Sequence, residues 1–547
     1  MGRGSRRTLR WFSVVVPLLV AVSACSGTSA TSDSVPVGST VPPALPVTGG
    51  ALSVGIIGSP DGFSPSNNRF SSATTMVAKA IYDPLVTVGA DGLPQPYLAE
   101  SMTPNSDFTV WTIKVRPGIT FHDGSPLDAN ALKLNLEALP KGLVSGPAAR
   151  EIVSADVVDP LTVALHLRGP NAHVPLNFTG QPGFIVAPAQ IAANDPNVLI
   201  GTGPFKFQDQ VRDSVIDVVR NDSYWRKDAQ GNQLPYLASI AFKEIPDGAS
   251  RSSALQAGDI DVSQTSSPNT VAAASEGSLP GGEQSDLGTS SVDKQTLVLN
   301  NLAGAFTDPQ LRIAANEAIN RQDLINTLLK PDLYKPALGP MSDGSPWGNP
   351  KMPGYDPDGA KQLVAAAGGG QPVTATLTIV GGDAEGAALA QFLQQQLNAV
   401  GFDIKIDAVE LGTFSAGLVT AKADMYLIPL WTDVDPDADQ PFFVSTNAPD
   451  PGAIGLNFAR WRNAKVDDAM NGARRSPDES FRKQQYQIVW DEMAKDAPYV
   501  FLYQNVWGML WQPRVYNIGH MTTPDGVAMP TSVLGSTFLT NVWIQAP

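Results

Sequence analysis

The densest set of side chains able to do chemistry is Asp433-Val434-Asp435-Pro436-Asp437-Ala438-Asp439, four carboxylates at alternate positions. Hard cations take several carboxylate oxygens, and alternate aspartates open a calcium loop. The pattern then breaks, because Ala438 stands where such a loop needs glycine and Val444 where it needs a bidentate glutamate. Three uses stay open for the cluster: a cation loop, a solvated acidic turn, or a contact for a cationic ligand. Position favours the last. The cluster follows an apolar run ending in Trp431, and in open α/β sheets ligands sit beyond the carboxyl ends of strands.

Other catalytic patterns are scarce. His122, His166, His173 and His520 lack metal-ligand spacing with one another or with a cysteine, and read as surface or packed imidazoles. Gly201-Thr202-Gly203-Pro204 lacks the lysine and hydroxyl that grip phosphate, so a tight turn is the better reading. No Gly-x-Ser-x-Gly elbow occurs, and nothing singles out a pair among the many carboxylates for glycoside hydrolysis. The expectation is a non-enzyme that needs neither cofactor nor metal.

The chain is 547 residues long, 43% hydrophobic and 16% charged, with one cysteine. That suits two to four units with real cores, and excludes a disordered tail, a collagen-like fibre and a disulfide-stapled mini-domain. A net charge of -15 argues against nucleic acid or anionic lipid headgroups as main partners. At the N-terminus Arg3, Arg6, Arg7 and Arg10 precede the apolar stretch 11–22, and Val22-Ser23-Ala24-Cys25 follows. This is the order of a secretory signal over 1–24, and the small residues before the cysteine resemble the lipobox of bacterial lipoproteins. Acylation of Cys25 would anchor the chain to a membrane on its extracytoplasmic face. The Ser-, Thr- and Pro-rich stretch 26–48 reads as a tether, with a reach of about 70 Å when extended.

The body reads as α/β. Val373, Ala375, Leu377 and Ile379 alternate as in a strand, and Leu389, Phe392, Leu393, Leu397 and Val400 follow along a helical stripe. Gly401 is placed to cap that helix, and Phe402, Ile404 and Ile406 open a second strand, giving a parallel β-α-β unit. The run from Met425 to Trp431 is expected as its neighbouring strand. Asp308-Pro309 is an N-cap and N1 pair, opening a helix expected to carry Leu311, Ala314, Ala315, Ala318, Ile319 and Ile325.

A family resemblance runs through nearly all of the chain after the tether. GGALSVGI (49–56), IYDPLV (81–86), YLAESM (97–102) and the WTIKVRPGITFHDGSPLDANAL stretch (111–132) occur in family order. GTGPFKF (201–207), RNDSYW (220–225), IPDGASRSSALQAGDID (245–261), FTDPQLRIAANEAINR (306–321) and YDPDGAKQLVAAAG (355–368) continue it. Each piece alone is weak, but the ordered set resembles the dipeptide/oligopeptide-binding lipoproteins of ABC importers, solute-binding protein family 5. One departure is Ala129-Asn130-Ala131-Leu132, where members usually have Ala-x-Asp-Val.

The resemblance implies an α/β fold of the two-lobe periplasmic-binding-protein type (type II, cluster C), with an extra subdomain in the first lobe. The implied boundaries put the first lobe's core at 49–80, 200–292 and 518–547, its extra subdomain at 81–199 and the second lobe at 293–517. Two hinged lobes would close over a solute, expected to be a di- or oligopeptide, and deliver it as a monomer to permease subunits. Carried over by position, Trp431 matches the family's cleft tryptophan, and Asp433 the aspartate that pairs with a peptide's α-ammonium group. The loop between Trp431 and Asp435-Pro436 is about two residues shorter than in dipeptide-binding members, which leaves Asp435 as the alternative partner. On the opposite lobe Asn68, Arg69 and Phe70 follow the first strand, with Arg69 standing where an oligopeptide-binding member has an acid. Asn457, Arg460 and Trp461 are expected as pocket wall or polar turn. Other solutes on the same scaffold stay open (oligosaccharide, glycoconjugate, metal chelate or haem), as does an envelope lipoprotein that does not transport.

Overall fold

A computed structural model describes residues 45–545, except 59, 61, 196, 280, 289–292 and 431–433. The expected signal segment, Cys25 and most of the tether lie outside the described residues, as do Trp431 and Asp433.

Two mixed sheets dominate. The larger has seven strands in the order Gln284–Gly288, Trp507–Trp511, Val262–Thr265, Ala51–Ile56, Ser239–Glu244, Val215–Arg220 and Phe205–Val211. Its central strand, Ala51–Ile56, pairs in parallel with both neighbours. Leu52, Val54 and Ile56 are fully buried there, as a strand covered on both faces requires. The second sheet has five strands, in the order Phe402–Val409, Val373–Val380, Met425–Leu430, Lys294–Leu299 and Tyr499–Gln504. The expected β-α-β unit is present. Val373–Val380 and Phe402–Val409 are parallel over eight residue pairs, joined through the helix Ala384–Ala399, and Met425–Leu430 lies in parallel on the other side. Gly401, at φ +107°, turns the chain out of that helix in a conformation that β-carbons disfavour.

A third, four-stranded antiparallel sheet, in the order Ala99–Pro104, Val110–Val115, Thr162–Leu167 and Ile152–Asp159, has a core of its own around Trp111, Ile113, Val163 and Leu165. Trp111, Ile113 and Val115 are buried and alternate with more exposed neighbours, the period-two signature of a sheet with one covered face.

Two expectations are corrected. The helix opened by Asp308 and Pro309 ends at Ala318, because Asn320 accepts a hydrogen bond from the Asp323 N–H and starts a separate helix, Arg321–Leu328. Ile325 therefore belongs to the second helix. The expected lobe boundary at 517 also falls too late. The apolar stretch from Tyr499 is interrupted at Asn505 and Val506, and Trp507–Trp511 joins the seven-stranded sheet, antiparallel to Val262–Thr265 and Gln284–Gly288.

The chain thus passes between the large sheets twice, after Gly288 and after Gln504. Asp293 ties the two passages together. Its backbone carbonyl accepts from Asn505 N at 3.1 Å, and its carboxylate accepts from Asn505 Nδ2 at 3.0 Å and Trp507 Nε1 at 3.1 Å. A buried carboxylate with these donors fixes both crossings to each other at one point. No helix among the described residues is long and apolar enough to cross a membrane.

Candidate functional site

The carboxyl ends of parallel strands from both large sheets open on one space. Ile57 and Ser266, just past Ala51–Ile56 and Val262–Thr265, form one wall of a cavity of about 690 Å3. Val380 and Pro429, at the ends of Val373–Val380 and Met425–Leu430, form the other. The antiparallel strands add Gln295, Tyr503 and Trp507. A second cavity of about 390 Å3 shares Ser71 and Ser72 with the first and reaches past Phe70, Lys79 and Phe538 to Phe442. A cavity at strand ends is where this class of sheet places a ligand.

The two acidic groups of the larger cavity sit at one helix start. Asp383 caps the helix Ala384–Ala399 by accepting from Glu385 N at 3.1 Å. Glu385, in the first turn, accepts from Ser267 Oγ at 2.9 Å and Asn269 Nδ2 at 3.1 Å, so it also ties the second sheet's helix to the start of a helix beside the first sheet. Burial raises the Glu385 carboxyl above its ordinary value, against those two hydrogen bonds. Tyr334 is buried with its ring edge-on to Tyr503, and its hydroxyl has no hydrogen-bond partner among the described residues.

The sites expected from sequence divide. Phe70 lines the smaller cavity. Asn68 lies on a separate groove of about 510 Å3, where its side-chain oxygen accepts from Ser64 N at 3.0 Å and holds the loop. Half-buried Arg69 lines neither cavity.

Asn457, Arg460 and Trp461 line neither cavity and form a buried polar turn, the second of the two expected readings. Asn457 is fully buried, donating to the Val444 and Trp461 carbonyls and accepting from Trp461 N. The Arg460 guanidinium is committed to four carbonyls, those of Gly455, Asn457, Val419 and Ala453. The Trp461 indole donates to Asp496 at 2.8 Å.

Asp435 is buried, pairs with Arg482 and accepts from Asp437 N, so its charge is already balanced within the protein. Fully buried Asp437 pairs with Arg474 through both of its oxygens, at 2.9 and 3.1 Å. Arginines thus neutralise Asp435 and Asp437 of the aspartate run. No set of three metal-ligating side chains gathers among the described residues.

Sequence reasoning missed Tyr334, Asp383 and Glu385. A signal was present for the acids: Gly381-Gly382-Asp383 directly follows a correctly expected strand and opens a correctly expected helix, the position where an open sheet exposes its ligand loops.

Residues 94–450 match the middle region of the bacterial extracellular solute-binding proteins, family 5. The chain is 27% identical over 450 residues to the glutathione-binding protein GsiB of Pectobacterium atrosepticum, covering 79% of this chain and 84% of that one. It is 26% identical over 559 residues to the oligopeptide-binding protein AppA of Bacillus subtilis, covering 94% and 98%. The fold is that of the binding protein AgaA of A. tumefacien R10, solved with agropinic acid, at a TM-score of 0.80 and 24% identity over 91% of this chain and 99% of that one.

Proposed function

We propose, from the premise that this chain belongs to the bacterial extracellular solute-binding proteins of family 5, that the solute it captures is a short peptide. Members of that family are extracytoplasmic binding proteins of ABC transport and carry out no catalytic step. The observation that carries the peptide reading is the larger cavity between the large sheets, walled by strand ends from both, with a second cavity adjoining it. Backbone groups at strand ends can bond an extended chain as an added strand, which gives affinity with little dependence on side chains. AppA, similar to this chain over nearly its whole length, carries an oligopeptide-binding name. Trp431 and Asp433 directly follow the strand Met425–Leu430, and by the resemblance they supply the aromatic wall and the partner for the peptide's α-ammonium group.

Protein purified without refolding should release peptides in native mass spectrometry. After stripping, short peptides at about a hundredfold excess over Kd should stabilise the fold by about 2.7 kcal/mol, seen as a rise in melting temperature. Asp433→Ala should lose most of that rise. A retained sugar, chelate or opine, with no response to peptides, would replace the peptide reading.

Cys25 is proposed as the acylated residue, holding the monomer on the outer face of the cell membrane beside its permease. Cys25→Ser should abolish incorporation of labelled fatty acid and move the chain to the soluble fraction; a variant that stays labelled and membrane-bound refutes the anchor.

A further inference from the structure

We propose that the Asp383 and Glu385 end of the larger cavity is a subsite for a cationic group of the solute, an ammonium or guanidinium, so that this protein selects positively charged solutes with an apolar body. The inference rests on the solute-binding reading and names the class of solute.

Charge is the first argument. Among the described residues lining the larger cavity, Asp383 and Glu385 are the only charged side chains, and no lysine, arginine or histidine joins them. Their partners are a backbone N–H, a hydroxyl and an amide, all neutral donors. Arg251 is near enough for the Glu385 charge to act on it, but its guanidinium is buried and donates to the carbonyls of Gln264, Ile245 and Pro246. Two carboxylates in a partly dry wall attract an opposite charge more strongly than they would in water.

The second argument is independent of charge. The Tyr334 hydroxyl is buried without a hydrogen-bond partner, in the same cavity wall, and close enough to Glu385 to feel its charge. Buried hydroxyls are nearly always satisfied, so an orphaned one in a cavity wall marks a place where a ligand group completes the hydrogen bonding. A solute N–H bound between Glu385 and Tyr334 would satisfy both. Part of the remaining wall is apolar, with Leu324, Leu328, Ile379 and Leu427 suited to a hydrocarbon body.

The test is calorimetric titration of the stripped full chain with tripeptides differing at one residue, lysine against norleucine against glutamate at each position. Agmatine and spermidine serve as non-peptide cations. At one position lysine should bind about tenfold tighter than norleucine, with glutamate weakest. Glu385→Gln, which keeps acceptors for Ser267 and Asn269, should bring the lysine-to-norleucine ratio close to one. Tyr334→Phe should weaken the lysine peptide without lowering the melting temperature of the unliganded protein, since no internal hydrogen bond is lost. Equal affinity for lysine and norleucine, or a lysine preference unchanged by Glu385→Gln, overturns the subsite while leaving the peptide reading intact. Glu385-dependent binding of agmatine or spermidine without any peptide binding keeps the subsite and removes the peptide reading. If none of these cations binds, the subsite is overturned.

Discussion

Replacing Arg474 by leucine should lower the unfolding free energy by about 3–5 kcal/mol, the usual penalty for stripping one partner from a buried ion pair. Arg474 is nearly buried, and Asp437, held by two side-chain hydrogen bonds and a third to its own carbonyl, is completely so. Leucine fills much of the volume but leaves the Asp437 carboxylate in a dry site without its counter-charge. The effect reaches beyond the second lobe, because Arg474 Nη1 also donates to Glu151 Oε2 at 3.3 Å and the Arg474 carbonyl accepts from Ala172 N at 2.8 Å. Glu151 and Ala172 flank strands of the four-stranded sheet, so this one arginine joins that sheet's unit to the second lobe. Arg150, donating to the Thr446 carbonyl and to Asn447, and His173, hydrogen-bonded to the Ser476 carbonyl, lie on the same seam. Chemical denaturation of wild type, Arg474→Leu, Asp437→Asn and the double variant measures the pair. The double variant should recover a large part of the loss, because the uncompensated charge is gone. Additive losses would show that the ion pair is not the source of the effect.

The segments that make the family legible in the sequence lie mostly away from the solute cavities. Asp83 of IYDPLV accepts hydrogen bonds from Thr202 of GTGPFKF and from Tyr224 and Trp225 of RNDSYW. His122 of the FHDG stretch clamps the same turn, accepting from Gly201 N at Nδ1 and bonding the Gly203 carbonyl through Nε2. A β-carbon at Gly201 or Gly203 would meet the backbone of Ile81 at 2.1 or 2.5 Å, so neither glycine tolerates a side chain. Four motifs separated by up to about 140 residues thus converge on one buried polar knot, and such a knot restricts sequence at every position it uses. That is why the fold could be read: each piece answers to several others. The solute wall has no such mutual constraint. Glu385 and Tyr334 come to one cavity wall only after the helix Ala384–Ala399 and the loop that follows the helix Arg321–Leu328 are packed, and neither residue type is unusual where it stands. Asn457, Arg460 and Trp461 read two ways for the opposite reason. Polar and aromatic residues in a turn look like a binding surface, but Arg460 adopts φ +56° and turns its guanidinium inward to satisfy carbonyls that no regular element pairs.

Lys79→Met should make the protein more stable than wild type at pH 7, and the advantage should vanish as the pH rises. Lys79 lies in the helix Ser72–Ile81, on the wall of the smaller cavity, with its ammonium over the Phe538 ring at 4.9 Å. It donates to the carbonyl and the hydroxyl of Ser536, both at 3.0 Å, so it is hydrogen-bonded without a carboxylate to balance its charge. Burial lowers its pKa from 10.5 to about 7. Between those values the unfolded chain binds a proton that the folded chain does not, so stability rises with pH across the window from about 7 to 10.5. Integrated over that window, the difference between wild type and variant should change by an amount on the order of 5 kcal/mol. Below pH 7 both states of the wild type are protonated and the burial penalty is fully present. Methionine removes the penalty at every pH, at the loss of two hydrogen bonds worth about 1 kcal/mol each. Unfolding curves for both proteins at pH 7, 8, 9 and 10 test this, since titrations elsewhere in the chain cancel in the difference. Parallel stability profiles would mean that Lys79 keeps its charge when folded, with hydrogen bonding and the ring face compensating its burial.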